Sequence, residues 1–222
     1  MGRQVSRGKR ARVKEALQKA RLYAICDLGY LSGDNALRVS RQLLKGGAGI
    51  LQLRAKGHPP STLVELGQEL RALCNEFAVP FVINDHLELA LQTGAHGLHL
   101  GQDDGSLDEA RRVLPAGTVI GRSTHSLSQA RQALAEGADY IGFGPLYPTP
   151  TKEGRPAIGL GEIATMEKEV GSRIPAFCIG GIKPGNLGHV WAAGARRFVI
   201  VSHLLTAENP EQATLEITQY QP

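Results

Sequence analysis

Residues 80–104 read PFVINDHLELALQTGAHGLHLGQDD. Pro80–Asp85 is a short apolar run that closes on Asn84 and Asp85. Gly97–Gly101 is a second such run, and it closes on Gln102, Asp103 and Asp104. The stretch between them is amphipathic and reads as a helix. A strand, a helix and a second strand in so short a space form a βαβ unit, because parallel strands need a crossover of about a dozen residues or more.

The same unit recurs in both directions. Apolar runs occur at Leu22–Asp27, Gly49–Arg54, Val119–Ser123, Tyr140–Pro145, Ala176–Gly181 and Phe198–Ser202. Amphipathic stretches such as Ala36–Lys45, Ser61–Phe77, Leu127–Ala135 and Leu187–Ala193 separate them. In Ser61–Phe77, Leu63, Leu66, Leu70, Leu73 and Phe77 recur at spacings of three and four, one helix face. Eight strand candidates at near-even spacing predict a single (β/α)₈ TIM barrel over residues 21–222; an open doubly wound sheet is the alternative. Residues 1–20 form a basic extension. Within it, residues 9–21 are expected to make an extra helix covering the barrel bottom, with Val13, Leu17 and Ala20 on one face.

Composition bounds the class of protein. The chain has 222 residues, 42% hydrophobic and 21% charged, enough for one full core. No apolar run is long enough to span a membrane and no signal-peptide core follows Met1, so a cytoplasmic enzyme is expected. Cys26, Cys74 and Cys178 are few and unclustered, which suits reduced thiols. The net charge is +4, but residues 1–14 hold six of the 25 bases and no acid. The other 19 bases face 21 acids, so the body is slightly acidic and no nucleic-acid partner is expected. The tail reads as a solvated extension, and its removal is expected to leave activity nearly intact. A transit peptide or an RNA-touching arm are the alternatives.

Polar residues gather at the C-terminal ends of the strand candidates, the face on which barrels of this kind place their active sites. Gln52, Arg54 and Lys56 alternate along one strand end, so Arg54 and Lys56 lean to one side with no acid beside them in sequence. That suits a diphosphate; an ordinary ion pair is the plainer reading. Asp85 and Asp104 end adjacent strands and can share Mg²⁺. Asp85 can equally cap the next helix, and Asp103 competes with Asp104. Thr149, Thr151 and Lys152 sit on a proline-stiffened loop that can clamp an oxyanion. Gly180-Gly181 and Ser202 each precede a helical stretch, the place where barrels often hold a phosphate. Two anion sites in one mouth imply two phosphorylated substrates or one bisphosphate. His86, His99 and His125 lack the spacing of a zinc site; His125 can orient Ser123 or a substrate, and His99 can simply be packed.

Together these motifs resemble the thiamine phosphate synthase family. The resemblance runs from about Leu22 to about Leu205 and rests on Gln52-Leu53-Arg54-Ala55-Lys56, Ile83-Asn84-Asp85, His99 to Asp104, Gly121 to His125, Gly142 to Lys152, Gly180-Gly181-Ile182 and Val201-Ser202. It implies the joining of a hydroxymethylpyrimidine diphosphate to a hydroxyethylthiazole phosphate, with release of diphosphate, through a dissociative, carbocation-like state. By motif it implies pyrimidine-diphosphate contacts from Gln52, Arg54, Lys56, Asn84, Ser123 and Lys152, with Arg54, Lys56, Ser123 and Lys152 taking the catalytic roles. It implies Mg²⁺ on Asp85 and Asp104, and thiazole-phosphate contacts from Thr149, Thr151, Gly181, Val201 and Ser202. A homo-oligomer is compatible with it. His86 stands where many members carry Arg, and Cys26 where many carry Thr. The rivals are a thiazole tautomerase of the related branch, a sugar-phosphate isomerase on another barrel, and a non-catalytic precursor-binding regulator. Retention of Arg54, Lys56, Asp85, Asp104 and Lys152 argues against the first, the second would want a paired general acid and base on the strand ends, and the third would be favoured by a missing metal ligand, of which there is none.

Overall fold

The computed structural model describes residues 2–149 and 156–221. Its strands are β1 (Leu22–Asp27), β2 (Ile50–Arg54), β3 (Phe81–Asn84), β4 (Gly97–Leu100), β5 (Val119–Thr124), β6 (Tyr140–Phe143), β7 (Ala176–Ile179) and β8 (Phe198–Ile200). They pair in parallel and in sequence order, and β8 returns to β1 with Leu22 opposite Phe198. The sheet is a closed barrel, so the open-sheet alternative falls.

Helices α2 (Gly33–Lys45), α3 (Val64–Glu76), α4 (Leu87–Gln92), α5 (Leu107–Val113), α6 (Leu127–Ala135), α7 (Ile163–Met166) and α8 (Pro184–Ala192) are the crossovers. The short α9 (Ser202–Leu205) and α10 (Pro210–Thr218) follow β8. The stretch expected to be one helix from Ser61 begins instead as a 3₁₀ turn, Pro60–Leu63, since proline suits a first turn but supplies no N–H. Strand residues facing the helices are nearly all apolar and buried, among them Leu51, Leu53, Phe81, Ile83, Leu98 and Ile120. The three cysteines are free and buried. Burial pushes Cys26 up to about 11 and Cys74 up to about 12, so both stay protonated at neutral pH.

The basic extension is helical over Gly2–Lys19 (α1), further toward the N-terminus than expected. Val13, Leu17 and Ala20 are buried against the barrel. Arg10 and Lys14, one turn apart, both reach the buried carboxylate of Asp139 at 2.8 Å. Arg111 of α5 reaches it at 2.9 Å, and the Ile120 N–H donates to it at 2.9 Å. Asp139 immediately precedes β6, at the end of the barrel away from the strand C-termini. Burial pushes its carboxyl up, but Lys14, the Ile120 amide, Arg111 and Arg10 outweigh this and hold it below the ordinary value. From Arg10 onward the extension is therefore docked rather than solvated. Its charge could be counted in the sequence; its partner, 129 residues away, could not.

Candidate active site

A cavity of about 410 Å³ opens among the strand C-termini. Alternate strand residues line it: Tyr23 and Ile25 of β1, Gln52 and Arg54 of β2, Asn84, His99, Ser123, Tyr140 and Gly142, then Phe177 and Ile179 of β7. Their alternation follows from the two-residue period of a strand, which turns every second side chain inward.

Beneath the mouth the inward polar side chains join into one chain across the barrel. Gln52 Nε2 donates to the Tyr23 hydroxyl at 2.8 Å. The hydroxyls of Tyr23 and Tyr140 lie 3.1 Å apart. His99 Nδ1 lies 3.2 Å from the Tyr140 hydroxyl, and Nε2 lies 2.9 Å from Ser123 Oγ. All five residues are buried. The Phe177 ring meets both tyrosines edge-on. Burial pushes both phenols well above their ordinary range, so they stay protonated. Tyr23 and Tyr140 escape a reading of the sequence because they fall in the middle of apolar runs. His99 is more than a packed histidine, since it links to Ser123.

Arg54 is not without an acid. Its guanidinium meets the fully buried Asp27 at 2.5 Å. Register explains this: β1 and β2 place Asp27 directly beside Arg54, a neighbour the linear order hides. The Gly29 N–H also donates to Asp27. Lys56 departs from expectation as well. Strand β2 ends at Arg54, the alternation stops, and Lys56 is exposed and does not line the cavity.

Asn84 lines the cavity and Asp85 follows it with φ +62, a left-handed conformation that short polar side chains tolerate best. The Asp85 N–H donates to the His99 carbonyl, tying the end of β3 to β4. The cap of α4 is His86, and it makes no side-chain capping bond, so the capping reading of Asp85 lapses. Asp104 turns back on its own loop, where Oδ2 accepts from the Gly101 N–H at 2.7 Å. Arg122 points away from the cavity and binds the same loop through the carbonyls of Gly101 and Gly105, at 2.5 and 2.9 Å. Arg122 thus fixes the loop that carries Asp103 and Asp104. Two carboxylates at neighbouring strand ends fit Mg²⁺, which takes few protein ligands and fills its shell with water and phosphate oxygens. Among the described residues no group of three or more His, Cys, Asp or Glu could hold a metal, so the donor set is not that of a structural zinc site.

On the other side, Thr149, Gly180, Gly181, Val201 and Ser202 line the cavity. Lys183, His203 and Thr206 join them, three residues the sequence did not flag. Leu146 and Tyr147 donate to the carbonyls of Ile179 and Gly180, so the loop after β6 runs on beside β7. This makes glycine obligatory at 180 and 181. Both have positive φ, and a Cβ would meet Pro145 at 2.4 Å and Tyr147 at 2.7 Å. Thr151 and Lys152 lie outside the described residues.

Comparison with known proteins agrees with this geometry. Residues 22–204 match the family described as thiamine monophosphate synthase. The chain is 46% identical over 174 residues to the thiamine-phosphate synthase of Thermus thermophilus, covering 78% of this chain and 83% of that one. It is 41% identical over 206 residues to the thiamine-phosphate synthase of Nostoc, covering 93% of this chain and 56% of that longer protein. The solved thiamine phosphate pyrophosphorylase of Pyrococcus furiosus superposes with a TM-score of 0.82 at 32% identity, covering 94% of this chain and 96% of that one. The chain is an enzyme of the thiamine monophosphate synthase family.

Proposed function

We propose that this barrel mouth joins a hydroxymethylpyrimidine diphosphate to a hydroxyethylthiazole phosphate, giving thiamine phosphate and diphosphate. One observation carries the reading: members of both sets of candidate contacts line a single cavity from opposite sides. Gln52, Arg54, Asn84 and Ser123 face it from β2 to β5, while Thr149, Gly181, Val201 and Ser202 face it from the β6, β7 and β8 ends. Two bound partners would thus meet over the barrel axis, the arrangement a bimolecular coupling needs.

Arg54, oriented by Asp27, holds the diphosphate as the carbon–oxygen bond breaks. Ser123 and Gln52 fix the pyrimidine ring, and Lys152 adds a second cation from the β6 loop. Asp85 and Asp104 would hold Mg²⁺, which supplies charge neutralisation for the departing diphosphate when bound. The glycine-lined side and Ser202 present backbone N–H groups to the thiazole phosphate. The buried floor and the apolar wall from Ile25, Phe177 and Ile179 keep water from the electron-poor methylene. Incubation with both substrates across a Mg²⁺ titration tests this. Metal-dependent thiamine phosphate formation is expected; interconversion of thiazole tautomers without coupling would overturn it in favour of the tautomerase branch.

A further inference from the structure

We infer that Arg122 is a positioning residue for the cation: it clasps both ends of the loop after β4, so that the Asp104 carboxylate is set in place before a metal arrives. The inference rests on the proposed Mg²⁺ reading of Asp85 and Asp104 and goes beyond it, because Arg122 does not line the cavity.

Register brings Arg122 to the loop. Leu100 at the end of β4 pairs with Arg122 on β5, so the guanidinium starts beside the strand residue that leads into the loop. Arg122 is buried, 6% exposed, and a buried cation is tolerated only where its N–H groups find acceptors. It donates to the carbonyls of Gly101 and Gly105, the glycines that bound the segment carrying Asp103 and Asp104. One rigid, planar fork thus fixes the spacing of the two loop ends; a lysine ammonium is a single point of charge and cannot reproduce it. Gly101 then links Arg122 to Asp104. Its carbonyl accepts from Arg122, and its N–H donates to Asp104 Oδ2 at 2.7 Å. A Cβ at Gly101 would meet that same oxygen at 2.6 Å, so the missing side chain is what lets the carboxylate close on the backbone. Helix α5 does not depend on the clasp, because Ser106 and Glu109 cap it reciprocally. Without Arg122 the loop would loosen while α5 stays, and ordering Asp104 would be charged against each cation bound. A positive charge behind a cation site opposes binding on charge alone, so what Arg122 contributes is shape.

The first test needs no organic substrate. Mn²⁺ binding in the presence of inorganic diphosphate is followed by the EPR signal of the free ion. Arg122→Lys and Arg122→Gln should each weaken it about tenfold, the lower end of what the loss of a partner behind a metal ligand costs. Gly101→Ala keeps the clasp but displaces the carboxylate, and should weaken it similarly. Combined with Arg122→Lys it should be little worse than either alone, since both act through Asp104. In the metal-free protein, amide exchange at Gly101 should be about tenfold faster in Arg122→Lys, the scale of one lost hydrogen bond, with Ile120 at the other end of β5 unchanged. The coupling rate lost in Arg122→Lys should return as Mg²⁺ is raised, with KM for the thiazole phosphate within about twofold of wild type. Faster exchange at both amides, or a rate that Mg²⁺ does not restore, would show that Arg122 merely supports β5. Wild-type enzyme that binds no Mn²⁺ would sink the metal reading itself; wild type that binds it, with the Arg122 variants unchanged or tighter, would sink the role of Arg122 alone.

Discussion

At the scale of single residues, Asp104 is held to its own loop after β4. The Asp104 carboxylate is anchored on the Gly101 N–H, and Arg122 grips the loop from behind, so Asp104 has a fixed place in the loop after β4. Asp104→Asn can still accept from Gly101 through its amide oxygen while losing the charge. It should therefore leave the loop folded, weaken Mg²⁺ dependence and slow coupling by roughly 10²-fold, the scale of one lost electrostatic contact. Asp103→Asn should be much milder. Rates of both variants across a Mg²⁺ titration decide it; an Asp104→Asn enzyme with wild-type metal dependence would remove Asp104 as a ligand. Arg54 teaches the complementary lesson. Its buried partner Asp27 reduces the net charge of the mouth but aims the guanidinium, and aim matters more than charge when one oxyanion must be held.

At the scale of elements, α1 is the piece whose role differs most from its composition. Its cations serve a buried carboxylate at the barrel bottom, and Val13 and Leu17 pack beneath the strands. Removing residues 1–14 takes away Arg10 and Lys14 and leaves Asp139 with Arg111 and the Ile120 amide. Because Arg10 and Lys14 are about a third and a half exposed, the loss should be modest, about 1–2 kcal/mol. Melting should fall by several degrees at pH 7, with kcat/KM within about twofold, since the mouth lies at the other end. The pH dependence has a definite sign. A carboxyl held below its ordinary value stabilises the fold fully above the unfolded value, near pH 4, and this is lost as pH falls through the lower folded value. The melting gap between full-length and truncated protein should therefore begin to close only as pH falls below about 4. A constant gap from pH 7 to pH 3 would mean that α1 stabilises through apolar packing alone.

At the scale of the whole molecule, closure of the sheet in strand order sets β2 to β5 against β7 and β8 across one cavity. The residues proposed for the two substrates share one cavity but are different side chains. Ser202→Asp places a carboxylate where the thiazole phosphate is proposed to bind. It should raise KM for that substrate about tenfold or more, through repulsion at a helix N-terminus, and leave KM for the pyrimidine diphosphate within about twofold. Steady-state kinetics with each substrate varied in turn would show it, and equal increases for both would mean that the sites are not separated.

The eight strands, their order and the polar residues at their C-terminal ends were legible in the sequence, because local periodicity of apolar residues records which way each side chain must face. Gln52, Arg54, Asn84, Ser123 and Ser202 could be named for the same reason: they interrupt or end an apolar run. What the linear chain could not show is what lies beside what across strands. The Asp27–Arg54 pair depends on register between β1 and β2. The grip of Arg122 on Gly101 and Gly105 depends on contact between β5 and the loop after β4. The tyrosine–histidine chain depends on β1, β2, β4, β5 and β6 meeting around one axis. Lys56 lies past the end of β2 because a strand's alternation ends with its last ladder bond, and where that falls is decided by the neighbouring strand. Periodicity is written in the order of residues; pairing, register and a buried hydrogen-bond chain exist only once the barrel has closed.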